Sequence, residues 1–337
     1  MIFFVFLLFS TSFLLQFDRN EITVSGISSG GFFASQLHIS YSSQVKAAAI
    51  FAAGPYFCSK GNFTHALKFC MSQSTKEVDL DPLFEFIQTA ASKDLIDSLE
   101  NVRNSRVFIF SGLHDVVVSP SVVKKTEEFY FRLGAAIESE YLPDANHVFP
   151  TENNGEKCDE LGKTFIGKCK FNGAKKSLDW FYPNLKPAAA KMKQKNLFIF
   201  NQIQFQQKCP LCSFAKEGYI YIPTTCQQNE ECRFHVSFHG CKQSFEEIGS
   251  AYITELGFNE IAESNDIIIF YPQLESAKYN PMGCWDWWGY SEKSAGENLF
   301  PTKKGPQITA INEMIDKLRQ IKYSSELNVF HEKKTDL

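Results

Sequence analysis

Apolar residues run along this chain in two rhythms. Residues 47–53, 106–112 (RVFIFSG) and 266–271 (DIIIFY) are short apolar runs, with the length and texture of strands buried on both faces. Residues 21–26 (EITVSG), 136–142, 219–222 and 233–238 read as further strands. Residues 31–41, 121–133, 245–263 and 308–321 read as helices, the first with Phe33, Leu37 and Tyr41 at helical spacing. Strands alternating with helices predict an α/β fold, a mostly parallel central sheet with helices on both faces. Residues 183–195 (PNLKPAAAKMKQK) turn to Pro, Ala and Lys and read as a connection between two segments of one domain spanning 18–323. Residues 324–337 form a charged tail expected to fray.

The start of the chain follows a different pattern. Residues 2–16 carry no charge, and Asp18 is the first ionisable side chain. That run is shorter than the roughly 20 residues a bilayer span needs, and it predicts a secretory signal peptide over 1–17. No later stretch is long enough to span a membrane, so no stable anchor is expected once the leader is removed. Ten cysteines agree with an oxidising compartment. Cys58 and Cys70, Cys158 and Cys169, and Cys226 and Cys232 are close enough in sequence for local disulfides. Cys209-Pro-Leu-Cys212 has C-x-x-C spacing, yet neither a second ligand pair for zinc nor a thioredoxin-like context accompanies it. Asn62-Phe63-Thr64 matches a glycosylation acceptor. A secreted or endolysosomal protein is expected.

Charge narrows the partners. With 34 basic against 38 acidic residues, net −4, the chain lacks the basic excess of a nucleic-acid binder. Nothing points to a metal, nucleotide or flavin, so no cofactor is expected.

The chemistry begins at Gly26-Ile27-Ser28-Ser29-Gly30, a G-x-S-x-G between a predicted strand and a predicted helix. A sharp turn there lifts a serine hydroxyl above the sheet, and flanking glycines keep the backbone clear. A serine needs a histidine to take its proton and an acid to hold that histidine. In the hydrolase order the acid comes next and the histidine last. Asp115, just past RVFIFSG, and His147, in the loop after the next strand, fill those places. His114 adjoins Asp115 and could itself be a base, but neighbouring residues point apart. Asp144 lies too near His147 in sequence, His38 on the predicted helix reads as a packed or capping histidine, and His65 and His331 carry no partner signal.

An ordinary α/β-hydrolase has several strands before its nucleophile, and here almost none precede Ser28. The second segment supplies them if the helix at 308–321 is joined to the strand at 21–26, which makes the chain a circularly permuted α/β-hydrolase. Termini that lie close together at the surface make permutation physically reasonable. His239-Gly240-Cys241 then becomes a small-residue loop after a strand, able to aim a backbone N–H at a developing oxyanion. The donors would be the N–H groups of Ser29 and Cys241, with His239 supporting the loop.

Together these residues resemble the poly(3-hydroxybutyrate) depolymerase esterases with a permuted catalytic domain. The resemblance rests on ITVSGISSGGFFASQLHISYS, AAGPYFC, SGLHDVVV, DANHVFPT, HVSFHGCKQ and NPMGCWDWWGY, in consistent order. It implies Ser28, Asp115 and His147 as the triad, Cys241 in the oxyanion hole, and the aromatic segment along a polymer-binding crevice. Trp285, Trp287, Trp288 and His239 are the candidate substrate contacts, Trp285 foremost; flat rings suit methyl-bearing ester units. A Cys241–Cys284 disulfide would tie the aromatic loop to the oxyanion loop. No Thr- or Ser-rich linker follows the catalytic part, which leaves amorphous polymer and soluble oligomers open. The alternatives are a carboxylesterase for other small, acyl or feruloyl esters, and a non-catalytic binder of polymer or carbohydrate.

Overall fold

The computed structural model describes residues 14–71, 77–189, 191–228, 230–292, 294, 296–322 and 327–331. Its strands are β1 (Gln16–Ile27), β2 (Val45–Phe51), β3 (Arg106–Gly112), β4 (Ala136–Leu142), β5 (Phe149–Thr151), β6 (Glu156–Lys157), β7 (Ile166–Lys168), β8 (Leu197–Asn201), β9 (Glu217–Tyr221), β10 (Glu231–Phe238), β11 (Ile267–Tyr271) and β12 (Asn328–Val329). The helices are α1 (Ser29–Ser40), α2 (Phe63–Phe69), α3 (Asp81–Ser92), α4 (Pro120–Arg132), α5 (Gly173–Phe181), α6 (Ile203–Lys208), α7 (Phe245–Ile248), α8 (Ala251–Thr254), α9 (Phe258–Asn265) and α10 (Pro306–Gln320).

Nine strands form one sheet in the order β12-β8-β9-β11-β10-β1-β2-β3-β4. From β11 to β4 every neighbour is parallel, while β8, β9 and β12 pair antiparallel. Counting from β8 through β9, β10 and β11 and resuming at β1, the spatial order runs 1-2-4-3-5-6-7-8, with a single swap. The chain is therefore a circularly permuted α/β-hydrolase. β1 lies between β10 and β2, so its two partners come from opposite ends of the sequence. Leu14 bridges to Lys322, and Arg19 on β1 bonds Asp316 on α10 at 2.8 Å, which brings the permuted ends together.

Alternation along the strands sorts the core. Ile22, Val24, Val236, Phe238, Ile268 and Phe270 face one side, where Phe33, Leu37, Ile311 and Met314 of α1 and α10 meet them. Ala49, Phe51, Phe108, Phe110, Ile267 and Ile269 face the other, against α5, α8 and α9. This two-sided burial explains why these strands lack polar alternation.

Several expectations are corrected. The stretch 245–263, read as mostly helix, holds three short helices, because Gly249 (φ 62) and Gly257 (φ 90) take a positive-φ backbone that interrupts it. β1 starts before residue 21, and Leu15 and Phe17 are buried, Phe17 stacked on Phe234 at 4.1 Å. Part of the stretch assigned to a leader is thus packed into the fold; residues 1–13 of that assignment lie outside the described residues. The tail expected to fray includes β12, paired with β8, with Leu327 and Phe330 buried.

All ten cysteines are paired. The three local disulfides form, as does Cys241–Cys284, and Cys209 and Cys212 bond to each other.

Candidate active site

The parallel strands end along one edge, and the loops leaving them carry the candidate chemistry. Ser28 sits between β1 and α1 at φ 56 and ψ −124, a backbone region that non-glycine residues occupy only when their surroundings hold them there. Its N–H donates to the Phe51 carbonyl on β2 at 2.9 Å. The flanking glycines are obligatory. A Cβ on Gly26 would lie 2.2 Å from the Gly30 oxygen, and one on Gly30 would lie 2.2 Å from the Phe238 oxygen. The motif therefore seats the turn directly against the end of β10.

Asp115 and His147 meet beyond β3 and β4. The His147 Nδ1 to Asp115 Oδ2 distance is 2.8 Å, and both side chains are buried. The other Asp115 oxygen accepts the N–H groups of Val117 and Val118, each at 2.8 Å. The two loops are fastened at the backbone, Leu113 N–H to Leu142 and His114 N–H to Ala145. Asn146 Oδ1 accepts both His147 N–H (2.8 Å) and Val116 N–H (3.3 Å). With Nδ1 turned to the carboxylate, Nε2 is the nitrogen left for proton transfer. His114 and Asp144, the rivals for these roles, are exposed.

The candidate oxyanion loop comes from the second segment. A Cβ on Gly240 would fall 3.2 Å from Ser28 Cβ, so the His239-Gly240-Cys241 loop lies against the serine. On either side of Cys241, Gly240 N–H donates to Gln243 Oε1 (2.7 Å) and Lys242 N–H to Met282 (2.8 Å). Ser29 opens α1, and its N–H belongs to the first turn, which has no helical carbonyl to pair with. The Cys241–Cys284 disulfide joins this loop to the aromatic segment.

Two candidate contacts are sealed in the core. Trp285 has 0% exposure and packs among Phe33, Phe214, Phe238 and His239. It is a core residue packed behind the Ser28 turn, and its backbone N–H donates to Ser29 Oγ at 3.3 Å. His239 is likewise fully buried; its Nδ1 bonds the Gly240 carbonyl at 2.7 Å, and its Nε2 accepts the Leu274 N–H at 3.2 Å. Burial pushes its pKa down to about 4, so it is a neutral loop support rather than a substrate contact. Trp287 is nearly buried, stacked on Phe32 at 4.1 Å. Trp288 is half-buried beside exposed Phe63 at 5.5 Å, which makes it the most accessible of the three rings. Neighbouring residues of one loop point in different directions, so the tryptophans divide between core and rim.

Residues 149–168 add a part that strand reading missed. The strands β5, β7 and β6 form a small parallel sheet next to His147, closed by Cys158–Cys169. Its Phe165 stands edge-on to the His147 ring at 6.4 Å. These strands are only two or three residues long, too short to leave a periodic signal.

No family model matches the chain. The chain is 35% identical over 310 residues to a poly(3-hydroxybutyrate) depolymerase of Delftia acidovorans; the match takes in 90% of the chain and 60% of that relative's length. A polyhydroxybutyrate depolymerase of Talaromyces funiculosus is 29% identical over 298 residues, 83% of this chain and 85% of the relative. Two structures, the PHB depolymerase of Penicillium funiculosum and a serine-to-alanine PHB depolymerase complexed with an R3HB trimer, each match at TM-score 0.80 and 26% identity. The match covers 91% of this chain and 98% of theirs.

Proposed function

We propose that the chain, similar over most of its length to poly(3-hydroxybutyrate) depolymerases, belongs to that family and is a serine esterase cleaving poly(3-hydroxybutyrate) or its oligomers. The observation that carries this reading is the buried His147–Asp115 pair at 2.8 Å on the sheet edge where Ser28 is held at φ 56. His147 Nε2 takes the Ser28 proton as the hydroxyl adds to the ester carbonyl. Asp115 holds the ring and stabilises the imidazolium. The carbonyl oxygen, now negative, is received by the N–H groups of Ser29 and Cys241. The ester C–O bond breaks, the alcohol leaves with the proton from His147, and an acyl-enzyme remains. Water then attacks by the same route, freeing the acid and restoring Ser28.

Trp288, with Phe63, would offer the flat apolar rim for the chain of ester units. The five disulfides support work in an oxidising compartment, secreted or in a digestive lumen.

The test is the clearing of an amorphous poly(3-hydroxybutyrate) suspension, with a soluble butyrate ester as control. The intact chain clears the suspension, and Ser28→Ala lowers turnover by roughly 10⁴- to 10⁶-fold. Ester turnover without clearing would leave an esterase for other substrates. A Ser28→Ala loss below tenfold would remove Ser28 from the mechanism.

A further inference from the structure

Gln243 is almost fully buried, at 1% exposure, and its amide spans two loops from opposite segments of the chain. Its Oε1 accepts the Gly240 N–H at 2.7 Å. Its Nε2 donates to the Thr164 carbonyl at 2.8 Å and to the Phe165 carbonyl at 3.4 Å. Its backbone N–H also donates to the Gly240 carbonyl at 3.3 Å, alongside His239 Nδ1 at 2.7 Å. Gly240 C=O and Cys241 N–H belong to one planar peptide and point in opposite directions. His239 and the Gln243 backbone hold that carbonyl, and the Gln243 side chain holds the Gly240 N–H of the preceding peptide. With the peptides on both sides of Gly240 pinned, a residue otherwise free in its backbone is fixed and the Cys241 N–H is aimed.

At the other end of the amide is Phe165, an aromatic residue at φ 53, which is rare for a bulky side chain. Strain of this kind persists only where neighbours over-determine it. Here the Phe165 carbonyl is held by Phe149 N–H at 2.8 Å as well as by Gln243, while its ring stands edge-on to His147.

We propose that Gln243 is a positioning residue that sets the Cys241 oxyanion donor in register with His147, joining the two segments' contributions through one amide. The inference rests on the esterase reading above. Gln243 touches no substrate, so its removal disturbs the transition state more than ground-state binding.

The experiment is steady-state kinetics on a soluble butyrate ester, with phosphonate labelling of Ser28 and thermal melting in parallel. Gln243→Met keeps the volume and loses every polar contact of the side chain. It is expected to lower kcat by roughly ten- to a hundredfold, somewhat less than loss of a whole oxyanion donor. KM stays within about twofold, and phosphonate labelling slows by the same factor as kcat. Gln243→Glu retains an acceptor for Gly240 N–H and gives up the donor to Thr164. Its kcat is expected to fall between the two, and it decides the matter if Gln243→Met does not fold. A lowered melting temperature with kcat within twofold of the unaltered chain would reduce Gln243 to a structural residue and overturn the proposal. Absence of ester turnover by the unaltered chain would instead sink the reading on which it rests.

Discussion

The loops around Ser28 contain two buried aspartates that share one device and use it differently. Asp115 accepts the N–H groups two and three residues ahead through one oxygen and faces His147 with the other. Asp286 accepts the N–H groups of Trp288, Gly289 and Tyr290 through one oxygen, and the N–H and Oγ of Ser291 through the other. Carboxylates that cap their own following backbone are common turn-formers. At Asp115 half of that capacity is left over and turned to an imidazole. At Asp286 all of it goes into curling the aromatic loop, and burial raises its pKa, with the Ser291, Gly289 and Tyr290 hydrogen bonds working the other way. The difference is one of spare capacity: a carboxylate with a free oxygen can serve chemistry, and one fully engaged by its own loop serves shape.

The comparison can be broken at three points. Asp115→Asn should have the largest effect, since an amide there no longer holds the reactive imidazole tautomer. We expect kcat on a soluble ester to fall by roughly 10⁴-fold with little change in melting temperature. A fall of less than tenfold would place the supporting acid elsewhere.

Asp286→Ala should show the opposite profile. Its loss strands the backbone donors of residues 288–291, and denaturant unfolding should report about 2–4 kcal/mol less stability. If instead stability holds and only turnover drops, Asp286 belongs with Asp115 and the contrast fails.

A third carboxylate sharpens the series by adding a cation. Glu263 accepts from Tyr221 (2.7 Å), Thr224 (2.6 Å), Asn196 (2.9 Å) and Lys193 (2.6 Å). Burial works against its ionisation, but the bonds from Lys193, Thr224, Tyr221 and Asn196 outweigh it and hold the pKa down at about 2. A folded pKa below the unfolded one stabilises the protein above about pH 4, and that stabilisation is lost as pH falls toward 2. Lys193 is half-exposed, which limits the effect. Glu263→Gln should cost about 1–2 kcal/mol at pH 7, and the gap to the unaltered chain should close on acidification. A gap that persists at pH 2 would mean that shape, not charge, is what Glu263 contributes.

How much of this could be read from the chain alone differs by region. The strand-turn-helix around Ser28, the strand before Asp115 and the loop holding His147 were legible because each depends on neighbours in sequence: an apolar run, a glycine pair, a strand end. Chain order then supplied the permutation, since the strands missing before Ser28 had to come from after residue 195. The small sheet at 149–168 was not legible, because pairs of two or three residues carry no period. Nor was β12, whose two residues are strand only because β8 offers them an edge.

The aromatic loop marks the boundary most clearly. The family resemblance implies a crevice along it with Trp285 as the foremost contact, yet that ring is the one sealed among Phe33, Phe214 and Phe238. Sequence alone determined which chemical groups the protein carries and the order in which strands present them, because local backbone preference and chain order are properties of the sequence. Tertiary structure alone decided which tryptophan faces outward, that His239 is occupied by Gly240 and Leu274, and that Gln243 spans the two segments. Those outcomes depend on which distant residues fill the surrounding volume and take up each buried polar group, and close packing settles that only after the whole sheet has formed.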